Sequence, residues 1–369
     1  MPEIEPLLTA APSLLDWYDT HRRRLPWRET VTPYTTWISE IMLQQTRVAA
    51  VLPYYERFLA ELPDVFALAE VSEDRLLKLW EGLGYYSRAR NLRRAAQELC
   101  VSYGGEFPHT AAELRRLPGI GAYTAAAIAS IAFGQPEPAV DGNLLRVSAR
   151  VCASWDNISE ASVRKTFTDA LRLAIDSERP GQWNQAMMDL GAMVCLPNGT
   201  PLCSVCPLRS VCGAYRQGLC AILPRRAEKK MRRAEELTVF LLYRGEAYAL
   251  RRRGDTGLLA RMWEYPNVSG NLDEEAARLL LTQEGFSVKS LRSLGVARHC
   301  FTHIEWSMKC YEVEIKPDES ADGQIRRENA MQDSLIWVTD GENYALPSAF
   351  RKCRERRERN SSQSGSKKM

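Results

Sequence analysis

No run of about 18 consecutive apolar residues, the length a membrane helix needs, occurs in the 369-residue chain. Nothing in it therefore reads as a membrane-spanning helix. The segment from Met1 to Pro12 lacks the basic, apolar and small-residue order of a secretory leader. Collagen-like, mucin-like and disordered compositions are also absent, and 45% hydrophobic content is that of ordinary globular protein. A cytosolic protein is expected, with no membrane partner and no dependence on a second copy. Its ten cysteines should then be reduced thiols or metal ligands, the scattered ones, Cys100, Cys152, Cys220, Cys300, Cys310 and Cys353, being core or surface residues. A strong charge of one sign is missing too, since 49 Lys and Arg stand against 46 Asp and Glu. Global charge alone does not mark a partner for polyanions.

What charge there is lies unevenly. Arg351 to Met369 carries eight basic residues and two Glu, or +6, which leaves −3 for the rest of the +3 chain. Further basic clusters fall at His21 to Arg24, Arg88 to Arg94 and Arg225 to Arg233. Each suits a solvated face as well as a nucleic-acid contact. The cysteines are more specific. Cys195, Cys203, Cys206 and Cys212 fall within eighteen residues, and thiolates gathered so closely repel or oxidise unless a metal holds them. Spacing alone leaves zinc and an iron–sulfur cluster equally open.

Apolar spacing of the 3.6 type, punctuated by Pro and Gly, predicts helices near 12–24, 35–50, 52–60, 73–80, 86–103, 111–116, 122–133, 141–153, 160–175 and 181–194. This helical region is taken as 1–221. A charged connector, 222–236, follows. Strand-length runs rich in β-branched and aromatic residues at Leu237 to Tyr243, Ala247 to Arg251, Ser307 to Ile315 and Ser334 to Val338 then predict a sheet. With a helical pattern at Glu274 to Glu284, the segment 237–350 is α+β, and 351–369 reads as a frayed helix running into a disordered basic tail.

Three motifs carry the chemistry. The glycines of Leu117-Pro118-Gly119-Ile120-Gly121-Ala122-Tyr123-Thr124 allow a tight turn whose backbone N–H groups open the next helix. Such a turn cradles a phosphate without reading sequence. About twenty residues later, Val140-Asp141-Gly142-Asn143 places a carboxylate at another helix start, where Asp141 also suits a plain helix cap. Glu40, Gln44 and Arg47 form a polar stripe that would be solvated on a surface helix. If it lines a pocket walled by Trp37, Ile38, Ile41, Met42 and Leu43, burial would raise the pKa of Glu40 and keep its proton available.

In this order, the LPGIGAYT hairpin, the VDGN aspartate and the cysteine cluster resemble the helix-hairpin-helix DNA glycosylases of the endonuclease III type. Trp37 to Arg47 (WISEIMLQQTR) and Glu81 to Arg88 (EGLGYYSR) are similar to the adenine DNA glycosylases within that superfamily. The likeness continues through Thr256 to Leu259, Trp263 to Pro266 and Phe301 to His303. It implies a mostly α N-terminal region, with a six-helix module over roughly 25–135 and an iron–sulfur module formed by the N-terminal helix and 136–221. A Nudix-like domain would read 8-oxoguanine.

The substrate implied is double-stranded DNA holding adenine opposite 8-oxoguanine or guanine. By the same resemblance Glu40 protonates the adenine, Asp141 stays ionised beside the cationic sugar, and Asn143 positions water or Asp141. Tyr123 stands where strand-cutting relatives carry lysine. Trp27 and Arg28 would form the adenine pocket, and Gln45, Leu83 and Tyr85 would wedge into the duplex. Gly119 and Gly121 would carry the phosphate, and Phe301, Thr302 and His303 would recognise the lesion, with Thr302 where serine is frequent. The four cysteines would hold a 4Fe-4S cluster, although seven residues separate Cys195 from Cys203 where the family pattern has six. Asp273-Glu274-Glu275-Ala276-Ala277-Arg278 lacks the glutamate-rich metal helix of nucleotide-cleaving Nudix enzymes, so this domain should read rather than cut. The rival readings are a glycosylase/lyase for oxidised pyrimidines and a non-catalytic lesion binder.

Overall fold

The computed structural model describes residues 4–228, 231–316, 331–341 and 343–365. The chain divides into two compact units, Met1–Val71 with Asn91–Glu228, and Ser72–Arg90 with Lys229–Met369.

The first unit is helical, and its helix starts follow from side-chain caps. Thr32 accepts from the Thr35 backbone N–H at 3.0 Å while the Thr35 hydroxyl accepts from the Thr32 N–H at 2.9 Å, a reciprocal box that starts Pro33–Leu43. Asp64 caps Val65–Glu70, and Asp141 caps Gly142–Val151. Leu14, Leu15 and Tyr18 of Ala11–His21 pack with Leu144 and Val147 of Gly142–Val151, Phe167 of Ala161–Ala174 and Trp183 of Pro180–Met193. One core thereby joins the N-terminal helix to the later ones. The Ala-rich helix Ala122–Phe133 lies between Pro33–Leu43 and Pro180–Met193. Its closeness to the latter is enforced at Gly181, where a Cβ would stand 2.8 Å from the Ile131 Cα. The helix expected over 35–50 is corrected: it stops at Leu43, turns through Gln44 to Arg47, and a new helix runs Val48–Glu61. Periodicity alone gave no sign of this break.

The second unit is built on β1 (Arg233–Arg244), β2 (Ala247–Arg252), β3 (Trp263–Glu264), β4 (Asn267–Ser269), β5 (Val288–Cys300), β6 (Ile304–Ile315) and β7 (Leu335–Val338). Among the described residues these form one sheet in the order β3-β2-β1-β6-β5, with β4 pairing β1 and β7 pairing β2. β1 and β6 run parallel at its centre. Alternate side chains of β1 go to opposite faces. Val239 and Leu241 join Trp306, Met308, Phe350 and Cys353, whereas Phe240 and Leu242 join Tyr311, Ala277 and Leu281. Both faces are covered, one by helix Ser348–Gly365 and the other by Glu274–Gln283.

Ser72–Arg90 packs with this unit. It is held there by Arg252–Asp74 (3.0 Å), Arg261–Glu73 (3.1 Å), and Lys78 Nζ donating to the Gly341 carbonyl at 3.2 Å. β1 begins at Arg233, inside the expected connector. The chain beyond Arg351 stays helical to Gly365, because Phe350 and Cys353 are buried, a Cys310–Cys353 disulfide, which corrects the expectation that every cysteine is a thiol or a metal ligand, ties the helix to β6, and Arg357 donates to Glu312 at 2.6 Å. Residues 366–369 lie outside the described residues. β5 was not foreseen, since Lys289, Ser290, Arg292 and Ser293 dilute its apolar signal and Gly295 (φ 81°) interrupts its register.

Candidate active site

A cavity of about 800 Å³ opens in the first unit and brings together Trp27, Arg28, Glu40, Gln45, Tyr123, Asp141 and Asn143. These come from five separate stretches of sequence. Glu40 sits on Pro33–Leu43 with 6% of its surface exposed, so the polar stripe faces the cavity and not solvent. Burial pushes its carboxyl up to about 7, and the charge of Asp141 adds to the rise. The Tyr123 hydroxyl, which donates to Glu40 Oε2, and the nearby Arg28 oppose it. Tyr123 is itself raised by burial and then by the two carboxylates, so it stays a neutral donor.

Asp141 caps its helix with three donated bonds: Asn143 N–H and Leu144 N–H to Oδ1, and Asn143 Nδ2 to Oδ2, each at 2.8 Å. Burial raises its pKa, contrary in direction to the full ionisation expected, while these donors and Arg146 pull it back. A carboxylate with three donors is acceptor-only, and that is the form this arrangement solvates. The helix-cap and catalytic readings of Asp141 are thus compatible. Asn143 is oriented in turn by Arg146, whose Nη2 donates to its Oδ1 at 2.7 Å and whose Nε donates to the Cys195 carbonyl at 2.8 Å.

Trp27 is buried and meets the Tyr55 ring edge-on at 5.2 Å. Arg28 forms a fork with Asp189, Nη1 to Oδ2 at 2.7 Å and Nη2 to Oδ1 at 3.0 Å, and Arg23 Nε donates to the same carboxylate at 2.7 Å. Asp189 is fully buried on Pro180–Met193. Against the burial that would raise it, its bonds and charges with Arg28 and Arg23 hold it below the ordinary range. Sequence reasoning missed both Asp189 and Arg146. The available signal was a lone carboxylate in the apolar run Met187-Met188-Asp189-Leu190.

The hairpin glycines have different duties. Gly119 has φ 75°, and a Cβ there would stand 2.5 Å from that of Asn91. Gly121 is extended at the start of Ala122–Phe133, and a Cβ would meet nothing within 4 Å. That open side exposes the helix N-terminus to an approaching phosphate. Gln45 holds φ 59° at the cavity mouth. A left-handed non-glycine residue costs about 1–3 kcal/mol and is most often found where function requires it.

In the second unit Tyr85 has φ 47° and is 45% exposed, and its hydroxyl is hydrogen-bonded to Thr302. Arg88 holds the turn beneath, donating to the carbonyls of Leu83 (3.2 Å) and Gly84 (3.1 Å). Leu83 is 7% exposed, so in this conformation it has little surface to insert into a duplex, unlike Tyr85. Phe301, Thr302 and His303 form the turn between β5 and β6, closed by Phe301 N–H donating to the Ile304 carbonyl at 2.8 Å. Phe301 packs edge-on against Trp306 at 4.9 Å, while Thr302 and His303 stay exposed beside a cavity of about 510 Å³ that Tyr85 also lines.

Cys195, Cys203, Cys206 and Cys212 ring a small cavity of about 20 Å³, and Cys220, which sequence reasoning left among the scattered cysteines, lines it as well. Arg150 Nη1 donates to Cys195 Sγ at 3.1 Å. Burial pushes the Cys206 thiol up to about 12, with the neighbouring cysteines adding to the rise. Crowded and buried in this way, the thiols would ionise together only beside a metal's positive charge. Among the described residues no three His, Cys, Asp or Glu side chains form a site for a metal ion. Donor type and enclosure suit a thiolate-bound group, but the described side chains are not gathered as its ligands.

Residues 38–172 match the family model described as HhH-GPD superfamily base excision DNA repair protein, and 238–356 match the NUDIX domain. The adenine DNA glycosylase of Homo sapiens is 36% identical to this chain, over 82% of this chain and 66% of that protein. The chain thus spans a little under two thirds of the human relative. The Mus musculus adenine DNA glycosylase is also 36% identical, with 82% of this chain and 70% of that protein covered. That of Buchnera aphidicola subsp. Baizongia pistaciae is 33% identical, with 79% and 82% covered. Among solved structures, a thermostable thymine-DNA glycosylase aligns with a TM-score of 0.50 at 27% identity, over 56% of this chain and 94% of that one. An endonuclease III in a DNA complex, 24% identical with a TM-score of 0.51 over 59% and 99%, shares the fold. By its hairpin, its facing carboxyls and these relatives, the chain belongs to the adenine DNA glycosylase family.

Proposed function

We propose that this chain hydrolyses the N-glycosidic bond of adenine mispaired with 8-oxoguanine or guanine in duplex DNA, the first step of base-excision repair. The observation that carries the reading is Glu40, buried, titrating at about 7 and facing Asp141 across one cavity. A base stacked in a duplex cannot reach Glu40, so adenine must be extruded, at a few kcal/mol. Arg28, fixed by Asp189, and Trp27 would line its pocket, while Gln45 and Tyr85, both in strained backbone, would fill the gap in the duplex.

Glu40 would then give its proton to the ring, making the base a better leaving group. Assistance of this kind is worth roughly 10² to 10⁴ in rate. Asp141, whose three donors oppose the burial that raises its pKa, would stabilise the cationic sugar as a carboxylate, and Asn143 would steer water. Tyr123 has no amine, so no Schiff base can form at its position, and the product should be an intact strand with an abasic site. Phe301, Thr302 and His303 would read the opposite base. The four cysteines would hold a 4Fe-4S cluster, which when bound braces the 195–220 loop through four covalent bonds. The test is release of free adenine from an A:8-oxoguanine duplex. The native protein should release it and Asp141→Asn should not; equal release by both would remove Asp141 from the mechanism.

A further inference from the structure

The loop joining β2 to β3, residues 253–262, is strained and closely held. Gly257 (φ 86°), Leu259 (φ 57°) and Arg261 (φ 59°) are all left-handed, a backbone that leucine and arginine keep only where their surroundings impose it. Here Arg253 N–H donates to the Met262 carbonyl and Arg261 N–H to the Gly254 carbonyl, both at 2.9 Å, while Arg90 Nη1 donates to the Ala260 carbonyl at 3.0 Å. The result sets Leu258 and Leu259 on the wall of the cavity of about 510 Å³ that Tyr85, Thr302 and His303 also line. Arg253 lies outside that lining and links two parts of it. Its Nε donates to the Leu258 carbonyl at 3.0 Å, and its guanidinium carbon lies 5.6 Å from the centre of the Trp306 ring, which packs edge-on against Phe301. Its Nη1 donates to Glu264 Oε2. Glu264 is 2% exposed, and its other oxygen accepts from Arg251 Nη2 at 2.8 Å and Nε at 3.1 Å. A planar guanidinium makes the Leu258 and Glu264 bonds together, which a single ammonium on a flexible stem does not.

We propose that Arg253, anchored by Glu264, is a positioning residue that fixes Leu258 and Leu259 relative to the turn carrying Phe301, Thr302 and His303, and so sets how strictly the base opposite adenine is chosen. 8-Oxoguanine differs from guanine only by an oxygen on C8 and a hydrogen on N7, so telling them apart needs walls held to within about 0.5 Å. This rests on the proposal above that the second unit reads the opposite base, and the test separates the two. Single-turnover rates of adenine release are measured on duplexes with 8-oxoguanine or guanine opposite adenine, for the native protein, Arg253→Lys and Arg253→Met. Thermal unfolding of each reports folding.

Arg253→Lys keeps a cation for Glu264 and should melt close to the native protein, whereas Arg253→Met should melt lower. Both should release adenine opposite 8-oxoguanine roughly tenfold more slowly, the effect of losing one charge-assisted hydrogen bond, with a change of less than about twofold opposite guanine. A native ratio of the two rates in Arg253→Lys would overturn the proposal and leave the reading of the opposite base intact. An equal fall on both duplexes, which a merely structural role predicts, would overturn it as well. A native protein that treats the two duplexes alike would overturn both. Should an Arg253 variant fail to fold, Glu264→Gln, which keeps the size of the anchor and removes its charge, takes its place with the same fall in the ratio expected and an unchanged ratio refuting the role.

Discussion

Glu40 keeps its proton near neutrality because burial outweighs the Tyr123 bond and the Arg28 charge, and this has consequences of definite sign. A carboxyl whose folded value is about 7 against an ordinary 4.5 binds its proton more tightly in the folded chain. The stability this gives is complete below about pH 4.5 and is lost as pH rises through 7, a cost of ~3 kcal/mol at alkaline pH. Glu40→Gln should therefore abolish base release yet raise the melting temperature, by more at pH 8 than at pH 5. A uniform change at both pH values, or a loss at pH 8, would mean that Glu40 is not buried as a strained acid. Tyr123 gives a complementary test, since its hydroxyl favours the ionised form. Tyr123→Phe should move the alkaline limb of the single-turnover rate to higher pH. A limb that stays put or moves toward acid would break the link between the two residues.

At the level of elements, the hairpin and the helix it opens hold the geometry, and its two glycines should separate on mutation. Gly119→Ala forces a Cβ onto Asn91 from a left-handed backbone and should cost about 1–3 kcal/mol in denaturant unfolding. Gly121→Ala, extended and with open space, should leave stability within experimental error; equal losses would show that the turn is not what distinguishes them. The sequence made the hairpin, the Asp141 cap and most helices legible because each is a local signal of Gly, Asp or apolar spacing. It left the end of Pro33–Leu43 illegible, along with the positive φ of Gln45 and Tyr85. Those are set by what the chain meets in three dimensions, and neither Gln nor Tyr announces a left-handed backbone. Asp189 was hidden for the same reason, as its partner Arg28 lies 161 residues away.

For the whole molecule, base removal would fall to the helical unit and reading of the opposite base to the sheet unit. The second unit takes Ser72–Arg90 as well as the C-terminal chain, and with it Tyr85, bonded to Thr302 of the β5–β6 turn. That interleaving was beyond sequence reasoning, which parted the helical region from the sheet domain by a connector at 222–236. It also means that the reading turn and a residue assigned to duplex insertion belong to one compact body. The measurement that tests the central claim most directly is single-turnover processing of duplexes that differ only in the base opposite adenine, each sampled with and without alkali. Strand breaks that appear only after alkali, fastest opposite 8-oxoguanine and slower opposite guanine, are the predicted result. Breaks without alkali, or rates indifferent to the opposite base, would contradict it.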